Sequence, residues 1–314
     1  MILAPMQGLT ELLFRRAYER RFPGAIAVAV APFISLTHGN VPRFENKALA
    51  DVNPDANRGS IPIIPQILGN EPDEFVAMAA RLAQMGYDEV NWNLGCPMRR
   101  IAAKHRGSGL LAHPDEVRRI LDAVVPRLSV RLSVKVRLGH CSPDEIYALI
   151  PVLNDYPLAS VTLHPRTGKQ QYSGHPQLGH FARALPLIDK PVIYNGDIFT
   201  LADYRTVVQR FTGIADVMIG RGVLYDPLLP LRIKGTAPQS DEEALRLCAG
   251  FVEDLVGDIL RLQASDAVKL SKIKEYWCLL YKALHVPETE ARALLRTPTL
   301  GEMTESVLGI SSKF

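Results

Sequence analysis

A cysteine held between a glycine and a proline is the strongest candidate for chemistry in the chain, within NWNLGCPMRRIAAKHRGSG from Asn91 to Gly109. Cys96 follows an apolar run and precedes Arg99, Arg100, Lys104 and Arg106, with no acid among them. Nearby cations lower a thiol's pKa and a loop keeps it reachable, which suits a nucleophile. A cysteine that stays a thiol can instead give its proton to a carbon in a reduction. Cys248 and Cys278 lie on apolar helical faces and, with Cys141, are expected to be small core residues.

Other polar residues fall at or near the ends of apolar runs. Lys135 and Gln66 are embedded in strongly apolar segments, and a lysine pointing into a core is costly unless it meets a negative group. An anionic cofactor, such as the N1/O2 edge of a reduced flavin, would be such a partner, with Gln66 donating and accepting at the ring's polar edge. Pro5-Met6-Gln7-Gly8 closes the first run, Asn93 stands three residues before Cys96, and Arg137, His164 and Arg166 close two later runs. Asn195-Gly196-Asp197 and Gly220-Arg221-Gly222 are glycine turns whose backbone N–H groups could seat a phosphate, with Arg221 as a cationic donor. His164 keeps company with these residues, which points it toward cofactor or substrate. His38, His105, His113, His140, His175, His180 and His285 show no ligand-like grouping, so no metal is expected.

The elements that must position these residues alternate. Apolar runs at 1–6, 25–34, 61–68, 89–94, 132–138, 160–164, 191–195 and 216–220 read as strands, with amphipathic helical stretches between most of them. Their apolar character on both faces is that of parallel strands buried under helices. Eight such units over residues 1–237 predict an α/β chain with a (β/α)8 TIM barrel, whose active site lies at the C-terminal strand ends. A doubly wound sheet fits less well, because the GxGxxG turn is missing after the first strand. Past IKGTAPQSD only helix-period segments remain, which predicts an all-α C-terminal domain over residues 238–314.

The 314 residues are 47% hydrophobic and 22% charged, an ordinary soluble composition with room for a large core. No stretch approaches a membrane span, and MILAPMQG lacks a signal peptide's basic start, so a cytoplasmic protein with reduced thiols is expected. The net charge of +3 says little by itself, but residues 240–314 hold 9 Lys and Arg against 12 Asp and Glu, and this acidic balance argues against a polycationic arm. The acidic tail nevertheless holds a local basic face with Lys269, Lys272 and Lys274.

Taken together, LAPMQGLT, PQILGNEPDEF, NWNLGCP followed by GSGLLAHP, SVKVRLG, LHPRTGKQQYSG, VIYNGDI and DVMIGRG resemble the tRNA-dihydrouridine synthase family over nearly the whole chain. The resemblance implies an FMN-bearing barrel, reduced by NADPH, that reduces a uridine of the tRNA D-loop. It implies that Pro5, Met6, Gln7, Gln66, Lys135, His164, Asn195, Gly196, Asp197, Gly220 and Arg221 hold FMN. Cys96 would protonate the uracil ring and Asn93 would contact the base. The base must leave its stack, so Arg99, Arg100, Lys104 and Arg106 would meet phosphates beside it, with Arg137 and Arg166 near the substrate. Lys269, Lys272, Lys274, Arg292 and Arg296 would hold the rest of the tRNA. KLSKIKEYWCLLYKAL is most similar to the C-type subgroup, which acts on uridine 16. Pro165, His140 and the GSG step depart from the family pattern.

Two other readings compete. A dihydropyrimidine or dihydroorotate-type FMN oxidoreductase would act on a free base and needs neither a basic loop nor an appended helical domain. An inactive barrel could serve as an RNA-binding scaffold. Within the family, uridine 17 or 20 is the alternative target, and a monomer is expected.

Overall fold

The computed structural model of the chain describes residues 1–36 and 47–314; His38 lies outside them. Its parallel strands are β1 (Ile2–Leu3), β2 (Val28–Val30), β3 (Ile34–Ser35), β4 (Ile63–Ile64), β5 (Gln66–Leu68), β6 (Glu89–Leu94), β7 (Arg131–Gly139), β8 (Val161–Thr167), β9 (Val192–Tyr194) and β10 (Asp216–Ile219). The order β3-β5-β6-β7-β8-β9-β10-β1-β2-β4 closes on itself, because β2 pairs with β4 and β3 with β5. Two expected strands are thus each split in two. Pro32 interrupts one and Pro65 the other, since proline has no N–H to give to a ladder. Eight staves remain, and the α/β barrel is the predicted one.

The two faces of the sheet differ, contrary to the expectation of apolar residues on both. Val90, Trp92, Leu94, Val134, Val136, Val161 and Leu163 face the helices and join the main apolar core. The alternate residues of β5 to β8 are polar and lie in register: Gln66 pairs with Asn91 and Asn91 with Ser133, while Asn93 pairs with Lys135, Lys135 with Thr162 and Arg137 with His164. Successive strand residues point to opposite faces, so one register places all of these inside. Ile2, Ala4, Val30, Ile193 and Met218 form a separate apolar cluster from the other staves. One side of the barrel interior is therefore apolar and the other is a polar wall.

After β10 the chain turns at Gly235 and enters helices Asp241–Leu260, Asp266–Leu280, Glu288–Leu294 and Leu300–Ser311. Ser240 caps the first by accepting the Glu243 N–H at 3.2 Å, and its first turn carries Asp241, Glu242 and Glu243. This region docks on helix Leu12–Arg21. The Phe251 ring meets Phe14, Tyr18 and Phe22 at centroid distances of 5.5–5.7 Å. Such pairs contribute about 0.5–1.5 kcal/mol each beyond their buried area. Arg21 adds a bond to Asp254 at 2.8 Å. The buried side chains of both regions belong to one contiguous core, so the helical region is an extension of the barrel rather than a tethered module.

Candidate active site

Cys96 sits just past β6, where Asn93 builds its turn. Asn93 Oδ1 accepts the main-chain N–H groups of Gly95 at 3.0 Å and Cys96 at 2.9 Å. Backbone N–H groups can only donate, so this end of Asn93 is oxygen, and every orientation downstream follows. Asn93 Nδ2 donates to Gln66 Oε1 at 2.7 Å, Gln66 Nε2 to Asn91 Oδ1 at 2.7 Å, and Asn91 Nδ2 to Ser133 Oγ at 3.0 Å. The chain of amides is buried throughout. Among the described residues Asn93 keeps one free N–H, and Gln66 keeps one N–H and one acceptor position.

Behind the thiol, the GSG step forms a lid of backbone. Gly107 has φ +54, and a Cβ there would lie 2.8 Å from the Cys96 carbonyl oxygen and 2.9 Å from its Cβ. Only glycine fits both the left-handed conformation and that approach. Ser108 then donates its N–H to the Cys96 carbonyl at 3.0 Å. Its hydroxyl lies 3.1 Å from His140 Nδ1, so two of the family departures meet behind the loop.

Burial raises the Cys96 thiol above its usual pKa, although the Met98 N–H, Arg137, Lys135 and Arg100 pull the other way. Cys96 is therefore a thiol at neutral pH, with groups placed to receive a thiolate after its proton leaves. Cys248 is buried as expected, but Cys141 and Cys278 are exposed. Cys141 lies in the turn after β7, and Cys278 is on the solvent side of its helix.

Four basic side chains act on His164 at the barrel mouth. Burial, then Arg137, Lys135, Arg166 and Arg221 hold its imidazole well below the usual range, so it is neutral. Arg166 donates to His164 Nε2 at 3.3 Å, which places the imidazole proton on Nδ1. Lys135 has no ion pair among the described residues, and burial, helped by Arg137, lowers it to about 7. Asp197 is the carboxylate that two of them share: it takes Arg166 at 2.6 and 2.9 Å and Arg221 at 2.8 Å. Burial would raise Asp197, but Arg166 and Arg221 hold it below the usual carboxylate range. Arg166 Nε is buried without a partner among the described residues.

The other predicted residues divide by their surroundings. Pro5, Met6 and Gln7 follow β1, where Thr10 Oγ1 accepts the Met6 N–H at 2.8 Å and donates to the Ala4 carbonyl at 2.9 Å. Asn195 and Gly196 follow β9, and Asn195 donates from Nδ2 to the Met218 carbonyl at 2.8 Å, tying that turn to β10 and thus to Gly220 and Arg221. Arg137, expected near the substrate, is buried and spent on carbonyls: Gly95 at 2.8 Å, Thr167 at 2.9 Å and Gln171 at 2.7 Å. Arg106 is likewise buried, on the Leu36 carbonyl at 2.6 Å and Asn70 at 3.0 Å. Lys272 is held by Gly8, Glu11 and Glu275, and Lys274 by the Thr297 carbonyl at 2.6 Å. Arg292 is exposed and paired with Glu288 at 2.5 Å. Arg99, Arg100, Lys104 and Arg296 are exposed, Lys269 is half-buried, and none of these five side chains makes an ion pair among the described residues.

The sequence reading passed over Tyr172. Its ring is 52% exposed, and the guanidinium carbons of Arg221 and Arg137 stand 5.0 and 5.6 Å from its centroid. A lone aromatic within the polar stretch GKQQYSG was the available signal.

These residues fit a phosphorylated, electron-rich cofactor. Among the described residues Lys135 lacks an anion, Arg166 keeps an unspent donor, and only Arg166 and Arg221 of the four basic side chains reach a carboxylate, that of Asp197. Among the described residues no three His, Cys, Asp or Glu side chains converge as a metal site would require, and no helix is long and apolar enough to cross a membrane.

Comparison with known proteins identifies the family. Residues 2–266 match the family described as Dihydrouridine synthase (Dus). The chain is 30% identical over 288 residues to the tRNA-dihydrouridine(16) synthase of Cupriavidus necator, covering 88% of each. It is 29% identical to the Ralstonia nicotianae protein of that name, covering 78% of this chain and 75% of the relative. It is 32% identical to tRNA-dihydrouridine synthase B of Yersinia pestis, covering 81% and 79%. Among solved structures, the old yellow enzyme homologue from Zymomonas mobilis aligns with TM-score 0.54 and 12% identity over 76% of this chain and 89% of that one. Morphinone reductase aligns with TM-score 0.52 and 13% identity over 76% and 86%. At such identity these structures speak for the barrel alone. With the family model spanning most of the chain and relatives matched over most of their own length, the chain belongs to the dihydrouridine synthase family.

Proposed function

We propose that the protein is an FMN-dependent tRNA-dihydrouridine synthase that uses NADPH to reduce uridine 16 of the tRNA D-loop. The observation that carries this is the convergence of a neutral thiol, a neutral imidazole and four cations on one barrel mouth. Lys135 suits the electron-rich edge of the ring system, and Arg166 and Arg221, beside the Asn195-Gly196 and Gly220 turns, suit its phosphate. Bound FMN would supply the hydride, which adds at C6 of the uracil ring.

The protein's own residues supply the remainder. Cys96 gives its Sγ proton to C5, and the thiolate left behind faces the Met98 N–H, Arg137, Lys135 and Arg100. Asn93 fixes the turn that aims this proton and offers its remaining N–H to the base. His164 offers Nδ1–H as a neutral donor. The Tyr172 ring gives an extruded base or its neighbour a surface to stack on. Arg99, Arg100 and Lys104 are the free cations closest in sequence to Cys96 and meet the phosphates, while Lys269 and Arg296 do so from the helical region. A pyrimidine reductase acting on free base has no use for these solvent-facing cations. A tRNA substrate also suits a cytoplasmic enzyme, and we read the protein as a monomer.

The test is mass spectrometry of tRNA from cells with and without the gene. Loss of dihydrouridine at position 16, restored by the parent gene, supports the reading. Loss at 17 or 20 moves the target, and no loss overturns it. Turnover of free uracil at rates matching tRNA would favour the free-base reading, and faster flavin reduction by NADH than NADPH would reassign the reductant.

A further inference from the structure

One contact outside the barrel mouth joins the helical region to the loop after β1. Lys272, on helix Asp266–Leu280, donates from Nζ to the Gly8 carbonyl and stands 3.2 Å from Glu275 Oε2 and 3.5 Å from Glu11 Oε2. One turn later, Tyr276 donates its hydroxyl to the Leu9 carbonyl at 3.0 Å, and the Lys272 ammonium lies 5.3 Å from its ring centroid. The loop answers with the Gly8 N–H, which donates to Glu11 Oε1 at 3.1 Å. Lys47 stands 3.2 Å from the other Glu11 oxygen. Gly8 has φ +84, and a Cβ there would lie 2.2 Å from Glu275 Oε1, so the helix is seated directly on the loop backbone. Only 13% of the Lys272 side chain is exposed.

Two consecutive carbonyls are thus gripped from the helical region, immediately after Pro5, Met6 and Gln7. The far end of that loop reaches the phosphate turn: the Cβ position of Gly220 lies 3.2 Å from Met6 Sδ. A lysine so enclosed has three donors committed to one carbonyl and two carboxylates, which is poor use of a residue meant to meet an RNA phosphate. We propose that Lys272 and Tyr276 are positioning residues, which fix the β1 loop so that Met6 and Gln7 close on the cofactor. The helical region then completes the cofactor site in addition to meeting RNA. This rests on the flavin reading given above.

The test titrates FMN into apo-protein, following quenching of flavin fluorescence and the visible spectrum of bound flavin. The variants are Lys272→Met, Tyr276→Phe and, as a control, Arg246→Gln, which removes only an exposed pair with Glu242. The FMN dissociation constant rises about tenfold in Lys272→Met and about threefold in Tyr276→Phe, as expected for a charged and a neutral hydrogen bond. The bound-flavin spectrum shifts in both, and Arg246→Gln matches the parent. Parent-like FMN affinity and spectrum in both variants, with cooperative melting retained, overturns the proposal. Should Lys272→Met fail to fold, Tyr276→Phe, which loses one hydroxyl, decides alone. A parent protein that binds no FMN overturns the flavin reading itself, and this inference with it.

Discussion

The main-chain N–H of Cys96 donates to Asn93 Oδ1 at 2.9 Å, and the same oxygen takes the Gly95 N–H at 3.0 Å. One side chain therefore sets the turn that presents the thiol, while its amide nitrogen anchors to Gln66 at 2.7 Å. The amide chain from Gln66 to Ser133 links the expected cofactor edge to the proposed proton donor.

Asn93→Ala leaves two buried N–H groups without an acceptor, at a cost of about 1–3 kcal/mol each. The expected result is a lower melting temperature together with a large loss of dihydrouridine formation. Asn93→Asp keeps the acceptor but cannot donate to Gln66 Oε1, so it retains more stability than the alanine variant. Thermal melting and product mass spectrometry on both variants check this order, and a fully active, fully stable Asn93→Ala would refute the role.

Lys135 gives the protein a pH signature. Burial and Arg137 lower it to about 7, while Cys96 acts weakly in the other direction. Between about pH 7 and the usual lysine range the unfolded chain holds a proton that the folded chain has lost, so this group's contribution to stability rises with pH. An anion beside the ammonium favours its charged form, so binding takes up a proton and weakens as pH rises. The FMN dissociation constant is expected to increase by up to about tenfold per pH unit above 7. In Lys135→Met the affinity at pH 7 is lower and the profile flat. Fluorescence titrations across pH check both statements.

Tyr172 uses its ring and not its hydroxyl, which has no hydrogen-bond partner among the described residues. Tyr172→Phe is expected to keep the parent KM for tRNA. Tyr172→Ala raises it about tenfold, within the ~1–3 kcal/mol that base–aromatic stacking contributes. Steady-state kinetics at fixed NADPH separate the two variants, and equal KM values for all three proteins would remove the ring from substrate binding.

Most of the barrel was legible in the sequence because its staves and helices carry different hydrophobic periods. Cys96 stood out between Gly95 and Pro97, and Gln66 and Lys135 stood out as polar residues inside apolar runs. The polar inner wall was harder to see: Asn91, Asn93 and Ser133 alternate with Val90, Trp92 and Val134, and only strand register shows that they meet. Charge was the least legible property. Arg137 is held by Gly95, Arg106 by Leu36 and Lys272 by Gly8, partners 42, 70 and 264 residues away. A sequence displays a cation without its acceptor, so buried arginines that tie loops together look the same as arginines waiting for phosphate.

The exposed cations remain the ones to test for RNA contact. Arg99→Glu, Arg100→Glu and Lys104→Glu are each expected to weaken tRNA binding and to lower the slope of log affinity against log salt by about 0.7–1. Arg292→Gln, already paired with Glu288 at 2.5 Å, has a smaller effect. Filter binding at several salt concentrations gives the slopes, and unchanged slopes for all three glutamate variants would move the RNA elsewhere.

The proton-donor role of Cys96 is tested most directly by single-turnover reduction of tRNA, with enzyme first reduced by NADPH, comparing parent and Cys96→Ala. The account predicts that Cys96→Ala keeps flavin reduction and tRNA affinity while dihydrouridine formation falls by about 100-fold or more, the scale of a lost general acid. Dihydrouridine formed at the parent rate by Cys96→Ala would contradict it.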